Sequence, residues 1–192
     1  MNGEVLVRRT IERYVRLTDA EWAQVAPTWK ERSHAKGAFI SEAGRIEEHF
    51  HIVLSGVHRL YFEHDGTERC LGFAYAGTWS GDPDSFFSQR PGRFQLQALT
   101  ASTTLAIHRD DLLAHYERIR AMERFGRLIL EELLVGRATR EVEMLTLNAE
   151  ERYRKLLQRS AHLLQLVPQK DLASYLGMTP ETFSRLRAKV RS

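Results

Sequence analysis

The apolar residues of this chain change their spacing twice along the sequence. Residues 4–16 and 18–35 have the spacing of two amphipathic helices, and Thr18 is placed to cap the second, with Glu21 completing a capping box. From Gly37 onward, short apolar or alternating runs are separated by turn residues, which predicts β-strands. These runs are Phe39–Ile40, Phe50–Leu54, Val57–Phe62, Cys70–Tyr75, Phe94–Leu99 and Thr103–Ile107.

The strand-like part of the chain favours a β-sandwich or barrel. Its runs are punctuated by a turn signal roughly every 8–12 residues, which is typical of all-β architectures. Asp65-Gly66, between two of the runs, is the strongest hairpin signal. Helical spacing returns after Arg109, and Asp110-Asp111 favours a helix start there through the helix dipole.

Residues 117–148 predict one long helix, since they contain no proline and their apolar residues recur at spacings of three and four. Such a helix is about 45 Å long at 1.5 Å per residue, more than a small β domain can cover. We therefore expect part of its stripe to pack on the chain's own body and part to form a homodimer contact, which Arg140 weakens towards the C-terminal end. The stripe comprises Met122, Phe125, Ile129, Leu133, Gly136, Met144 and Leu147.

The C-terminal residues have the most specific pattern in the sequence. A helix over about 149–164 leads to a hinge at Pro168. Two short helices follow, with a sharp turn at Gly177, and the second begins with Thr179 as N-cap and Pro180 at its first position. This is the pattern of a helix-turn-helix, whose second helix enters the DNA major groove. Its apolar stripe is Phe183, Leu186 and Val190.

Composition and charge are those of a soluble protein with a basic C-terminus. No apolar run reaches the roughly 20 residues of a membrane span, and the N-terminus lacks the apolar stretch of a signal peptide. Cys70 is the single cysteine, so we expect no internal disulfide and a cytoplasmic location. Residues 150–192 carry nine Lys and Arg against four Asp and Glu, a net charge of +5, which favours DNA as a partner.

The order of β-roll, long helix and helix-turn-helix resembles the Crp/Fnr family of bacterial transcription regulators. The resemblance implies an α+β fold: a jelly-roll-like β-roll sensor domain in residues 1–116, a dimerisation helix in 117–148 and a DNA-binding domain in 149–192. It also implies a homodimer that binds double-stranded DNA, with RNA polymerase as a further candidate partner. In the β-roll it is carried by Gly37-Ala-Phe-Ile, Gly44, Ile52-Val-Leu-Ser-Gly56, Arg59 and Asp65-Gly66.

The DNA-contacting residues are expected on the second helix of the helix-turn-helix. Thr179-Pro-Glu-Thr-Phe-Ser-Arg185 is similar to the family's recognition motif, in which a Glu and an Arg four residues apart reach base edges. Glu181 can accept from a cytosine amino group and Arg185 can donate twice to a guanine. Phosphate contacts are expected from Thr179, Thr182 and Lys189, and Ser184 lies on the same outer face.

The expected effector site departs from the family pattern. Family members that bind cyclic AMP have a Gly-Glu pair and, about ten residues later, an Arg followed by Ser or Thr. Gly81-Asp82 and Arg93 match part of this pattern, with Ser85 nearby, but Phe94 replaces the hydroxyl residue. We therefore expect no cofactor, and either a small effector other than cyclic AMP or none.

Three alternatives remain beside this interpretation. The sequence stops at Ser192, where the family usually continues with a β-hairpin wing, so a second hypothesis is a dimeric ligand-binding or interaction module that no longer binds DNA. His49, His51, His58 and His64 around one hairpin suggest a metal site, but no Cys or carboxylate at zinc spacing completes it. No catalytic motif is present, so an enzyme is not expected.

Overall fold

The computed structural model describes residues 3–191 of the chain, with the side chains of Val190 and Arg191 and all of Ser192 outside the described part. Predictions on Val190 and Ser192 therefore lie outside the described residues. The helices are α1 (Gly3–Glu12), α2 (Asp19–Val25), α3 (Pro83–Ser88), α4 (Arg109–Arg118), α5 (Arg120–Thr146), α6 (Ala149–Ser160), α7 (Leu163–Leu166), α8 (Gln169–Tyr175) and α9 (Pro180–Arg191). The strands are β1 (Lys30–His34), β2 (Phe39–Ser41), β3 (His49–Ser55), β4 (Val57–His64), β5 (Thr67–Tyr75), β6 (Trp79–Ser80), β7 (Gln95–Ala98) and β8 (Ser102–His108).

The N-terminal region differs from the expected pair of helices. The capping box of Thr18 and Glu21 is present at the start of α2, as predicted. However, α2 ends at Val25, a short 3-10 turn contains Pro27, and residues 30–34 form β1 rather than a continued helix. Proline cannot donate the backbone hydrogen bond that a longer helix needs, and β1 instead pairs antiparallel with β8.

Two four-stranded sheets form the β-roll. Their strand orders are β1-β8-β3-β6 and β2-β7-β4-β5, so strands distant in sequence are neighbours in both sheets. The predicted runs all became strands, and Asp65 and Gly66 both have positive φ at the β4–β5 turn. Gly56, between β3 and β4, has a φ of +89°, and a Cβ there would lie 2.3 Å from the Cβ of Ser102. The connection between the strands therefore requires glycine.

One face of the first sheet is covered by aromatic residues from helices and loops. Phe50 stacks on Trp79 at 4.8 Å between ring centroids, and Trp79 contacts Phe125 of α5 at 5.3 Å. Phe125 also meets Tyr14 edge to face at 5.9 Å. Burial of such aromatic groups from water is the main stabilising contribution to a core of this kind.

The long helix contributes to this core with its N-terminal half. Met122, Phe125 and Ile129 are buried, so this part of the predicted stripe packs within the chain. The apolar residues that stay exposed on α5 are different ones, and they share another face: Leu130, Leu134, Val135, Val142 and Leu145. The helix predicted over 117–148 begins at Arg120, because α4 ends at Arg118.

The chain divides into two compact units. The first contains residues 1–60 and 73–132, and the second contains residues 61–72 and 133–192. The second unit therefore combines the tip of the β4–β5 hairpin with the C-terminal helices. Within residues 3–191, no helix combines the length and the apolar character needed to span a membrane.

Candidate functional site

The two helices α8 and α9 are joined by a turn centred on Gly177, as the sequence predicts. Gly177 has a φ of +63°. Its N–H donates to the carbonyl of Ser174 and the N–H of Met178 donates to the carbonyl of Ala173, both at 3.0 Å. This pair of hydrogen bonds is the Schellman motif, which ends a helix at a left-handed residue. The hydroxyl of Thr179 then accepts from the N–H of Thr182 at 3.2 Å and caps α9.

Apolar packing fixes α9 against the rest of the second unit. Phe183 is fully buried and meets Tyr153 of α6 edge to face, with 5.4 Å between the ring centroids. Leu172 and Ala173 of α8 are also fully buried. The small side chain of Ala173 permits close approach of the two helices.

Two arginines hold the carbonyl groups at the end of α8. Arg140 of α5 donates to the carbonyl of Tyr175 at 2.8 Å, and its guanidinium lies 4.2 Å from the centre of the Tyr175 ring. Arg152 of α6 donates to the carbonyl of Leu176 at 2.8 Å. The last carbonyls of a helix have no partner within the helix, so these two side chains supply one. Sequence reasoning treated Arg140 as an interruption of a dimer stripe and missed this role.

The outer face of α9 presents the residues expected to contact DNA. Thr179, Glu181, Ser184, Arg185 and Lys189 are exposed, and Thr182 is half-buried. Residues four apart on a helix lie on the same face, so Glu181, Arg185 and Lys189 form one stripe.

Contacts within the second unit orient these side chains. Arg185 donates to the hydroxyl of Thr182 at 3.3 Å, and Lys189 forms an ion pair with Glu150 at 2.8 Å. The pKa of Glu181 is lowered by hydrogen bonds from its own backbone N–H and from Thr179, with a smaller effect of the Arg185 charge. Glu181 is therefore ionised near neutral pH and able to accept hydrogen bonds.

The residues expected to bind an effector lie around α3, but their polar groups make hydrogen bonds and ion pairs within the protein. Asp82 is almost fully buried and caps α3, accepting from the N–H groups of Asp84 at 3.0 Å and Ser85 at 3.3 Å. Free N–H groups at the start of a helix are the usual ligands for a phosphate. Here the carboxylate of Asp82 takes that place.

Ser85 and Arg93 also make contacts inside the protein. The buried hydroxyl of Ser85 donates to the carbonyl of Arg90 at 2.7 Å and accepts from the N–H of Glu47 at 2.9 Å. Arg93 is largely exposed and pairs with Asp84 at 2.9 Å, so its charge is directed away from Asp82. Gly81 precedes the cap with a φ of 152°. The structure thus groups Gly81, Asp82 and Ser85 but leaves Arg93 at the surface.

A small acidic cavity lies beside Asp82. It has a volume of about 110 Å³, compared with about 300–1,000 Å³ for pockets that bury small ligands. Burial raises the pKa of Glu47, whose carboxylate accepts from the hydroxyl of Ser41 and from the N–H of His49. The lining residues are Ile40, Ser41, Glu42, Arg45, Ile46, Glu47 and Asp82. Sequence reasoning missed Glu47, because a pair of acidic residues before a strand, Glu47 and Glu48, carries no signal of burial.

The four histidines that suggested a metal site in the sequence are not grouped to hold a metal ion. His64 lies at the exposed end of β4, whereas His49, His51 and His58 lie in the first unit. Among residues 3–191, no group of three or more His, Cys, Asp or Glu side chains is placed to hold a metal ion.

Comparison with known proteins agrees with this architecture. Residues 31–118 match the family model described as the cyclic nucleotide-binding domain. FixK2 from Bradyrhizobium japonicum superposes with a TM-score of 0.72 at 20% identity, over 85% of this chain and 84% of FixK2. The chain has the Crp/Fnr fold. The family resemblance noted from the sequence is confirmed at this level.

Two further solved structures share the Crp/Fnr fold with this chain. The catabolite activator protein of Thermus thermophilus matches with a TM-score of 0.58 and 23% identity, over 91% of this chain and 84% of that protein. The c-di-GMP-responsive global regulator CLP of Xanthomonas campestris matches with a TM-score of 0.66 and 17% identity, over 91% of this chain and 92% of CLP. No curated protein matches the sequence of the chain.

Proposed function

We propose that this protein is a sequence-specific DNA-binding transcription regulator that acts as a homodimer. The observation that carries the proposal is the outer face of α9, where exposed Glu181, Arg185 and Lys189 form one stripe on a helix fixed by the buried Phe183. An exposed stripe of this composition on the second helix of a helix-turn-helix fits direct reading of base edges in the major groove.

In this proposal, base recognition and phosphate binding belong to different residues. Arg185 donates to a guanine and Glu181 accepts from a cytosine, while Thr179, Thr182, Ser184 and Lys189 position the helix on the backbone. The ion pair of Lys189 with Glu150 is exposed, so exchange of the carboxylate for a phosphate costs little. A homodimer would present two such helices about 34 Å apart, one turn of DNA, to a near-palindromic site.

The dimer contact in this proposal is the exposed apolar face of α5. Leu134 is 69% exposed and Leu145 is 79% exposed, values that are costly for leucine in water. Related regulators such as FixK2 and the catabolite activator protein share the fold in which this helix lies. We therefore assign the second copy of the chain, rather than the chain's own core, as the partner of this face.

The effector of such a regulator would differ from cyclic AMP. Asp82 occupies the N–H groups that a phosphate would need, and Glu47 adds a second buried carboxyl group beside it. An anionic nucleotide would meet three acidic side chains there, Glu42, Glu47 and Asp82, against the single arginine Arg45. The proposed regulator therefore responds to another small molecule in the β-roll or acts without one.

Substitution of Arg185 tests the proposal. We expect Arg185→Ala to weaken binding to a duplex selected from random DNA by about 1–3 kcal/mol and to relax specificity at one base position. The measurement is a fluorescence-anisotropy titration of the selected and the mutated duplex. Arg127→Ala is the matched control, because Arg127 is an exposed arginine of α5 that pairs with Glu131 and belongs to neither α8 nor α9.

Equal binding of the selected duplex by wild type and Arg185→Ala would show that the recognition assignment is wrong. A salt titration distinguishes the proposed regulator from the remaining alternative. A regulator loses affinity steeply as salt rises, because bound phosphates release counterions. A flat or absent response would favour the interaction module that no longer binds DNA.

A further inference from the structure

Five of the eight histidines meet inside the first unit. Ring centroids connect His108 to His49 at 5.2 Å, His49 to His51 at 6.1 Å, His51 to His34 at 6.2 Å and His34 to His58 at 6.0 Å. His49 and His51 alternate with Phe50 and Ile52 along β3, so they face away from the aromatic core. We call these five residues the histidine cluster.

One inner ring of the histidine cluster, that of His58, connects the two sheets of the β-roll. His58 belongs to β4 in one sheet, and its two ring nitrogens lie 2.8 Å from the hydroxyl of Ser80 and 2.9 Å from that of Ser102. Ser80 is in β6 and Ser102 is in β8, both in the other sheet. His58 is fully buried. It is therefore a polar bridge across an interface that is normally apolar.

A second hydroxyl links two more rings. Thr104 of β8 is fully buried, and its hydroxyl lies 3.1 Å from His34 and 3.2 Å from His51. One hydroxyl has one proton to donate, so it donates to one neutral ring and accepts from the other. If both rings carry a proton on each nitrogen, both donate and the hydroxyl proton of Thr104 loses its acceptor. The network is thus complete only while at least one of the two rings is neutral.

The charges around the cluster oppose protonation. Arg32 of β1 lies 2.7 Å from His49, and its charge acts on His34, His49 and His51. In the described chain, the acidic groups beside the cluster lie at its outer end. The charge of Glu48 acts on His49, and Asp110 of α4 lies 3.7 Å from His108. The inner rings of His34, His51 and His58 have no carboxylate partner among the described residues.

Burial adds to the effect of these charges. Desolvation, followed by the charges of neighbouring His34 and the other basic groups, lowers the pKa of His51 to about 3. Desolvation and His34 lower the pKa of His58 to about 4. Both rings are therefore neutral in the folded β-roll near pH 7, because a buried charge without a carboxylate partner is costly.

We propose that the histidine cluster is a proton-operated latch between the two sheets of the β-roll. The neutral ring of His58 holds the two sheets together through Ser80 and Ser102, and the neutral rings of His34 and His51 hold β1, β3 and β8 of the first sheet together through Thr104. When the sheets part, water reaches the rings and they take up protons at their ordinary pKa of about 6.5. Acid therefore stabilises the open form, and the sensor unit responds to pH whatever its effector.

The direction and size of the response follow from linkage. A histidine whose pKa is lower in the closed form than in the open form favours the closed form above about pH 6.5, the pKa in the open form. This preference is lost as the pH falls from about 6.5 towards the pKa of the closed form. For His51 and His58 together, the ratio of closed to open molecules is expected to fall about 100-fold from pH 7.5 to pH 5.5. Below about pH 4 the loss levels off, as the closed form itself takes up protons.

The test is urea unfolding of the full chain at pH 7.5, 6.5 and 5.5, followed by tryptophan fluorescence. All three tryptophans, Trp22, Trp29 and Trp79, lie in the first unit, so the signal reports on the β-roll and not on the second unit. We expect the unfolding equilibrium of the wild type to shift by at least about 100-fold across this range, since His34, His49 and His115, whose pKa is also lowered, add to the effect of His51 and His58. The His51→Gln/His58→Gln variant should shift about 100-fold less than the wild type, whatever its stability at pH 7.5. His64→Gln, at an exposed histidine, is the matched control and should keep it.

A wild-type equilibrium that does not change with pH, or a double variant that keeps the full shift, would overturn the proposal. If the double variant does not fold, NMR titration of the wild-type imidazole signals decides. The latch requires that the ring signals of His51 and His58 stay unshifted between pH 7.5 and 5.5 in the folded protein. Titration of both rings within that interval would overturn the proposal as well.

Discussion

A methyl group at position 177 would meet two obstacles at once. The φ of +63° is a conformation that side chains rarely adopt, and a Cβ would lie 2.5 Å from the terminal carbon of Met144. We expect Gly177→Ala to lower the free energy of unfolding of the second unit by about 1–3 kcal/mol. Urea unfolding followed by circular dichroism measures this change.

Gly136→Ala is the matched control for this substitution. Gly136 lies inside α5, and nothing lies within 4 Å of an added Cβ there. Alanine in an exposed helix interior is more favourable than glycine by up to about 1 kcal/mol. The two substitutions should therefore have opposite signs, and destabilisation by both would contradict the reading of the Gly177 turn.

The roles of some single residues could be predicted from the sequence, and those of others could not. Gly177, Thr179 and Pro180 could be assigned because their backbone roles depend on residue type and local order alone. Asp82 was expected to contact an effector, but its carboxylate caps α3, a short helix that the sequence analysis did not predict. The burial of Glu47 and of His58 depends on strands that meet only in the folded chain.

Among the secondary-structure elements, α5 has two apolar faces, one buried and one exposed. Met122, Phe125 and Ile129 face the core of the first unit, whereas Leu134 and Leu145 are exposed. The predicted stripe includes the buried Met122, Phe125 and Ile129 but none of the large apolar residues that are exposed on α5, because apolar spacing picks out one face and does not show which residues stay exposed. The strand β1 was missed for a similar reason, since its residues are mostly exposed and polar and its pairing with β8 is non-local.

Substitution of Leu134 tests the proposed dimer contact. A charge in a buried apolar contact is costly, so we expect Leu134→Glu to raise the dimer dissociation constant at least about tenfold. Sedimentation velocity over a range of concentrations measures this constant. Leu166→Glu is the control, because Leu166 is an exposed leucine outside α5. Unchanged dimerisation of Leu134→Glu would remove this face of α5 from the dimer.

At the scale of the whole molecule, an effector that binds only the folded form raises the free energy of unfolding. At about 100 times its dissociation constant, such a ligand adds about 2.7 kcal/mol. Since Asp82 takes the N–H groups at the start of α3, we expect cyclic AMP at about 1 mM to shift the melting temperature by less than about 1 °C. Differential scanning calorimetry measures the shift, and a saturable rise with concentration would contradict the prediction.

The division of the chain into residues 1–60 with 73–132 and residues 61–72 with 133–192 has a consequence for how the protein can be taken apart. The polypeptide passes from one unit to the other at three places, so no single cut yields both units intact. A fragment that begins at residue 133 lacks the hairpin tip, whose Cys70 N–H donates to the hydroxyl of Ser174 on α8 at 3.0 Å. The second unit can therefore be isolated complete only by fusing residues 61–72 to residues 133–192, so a gene that joins the two segments, rather than a truncated one, is the route to studying this unit alone.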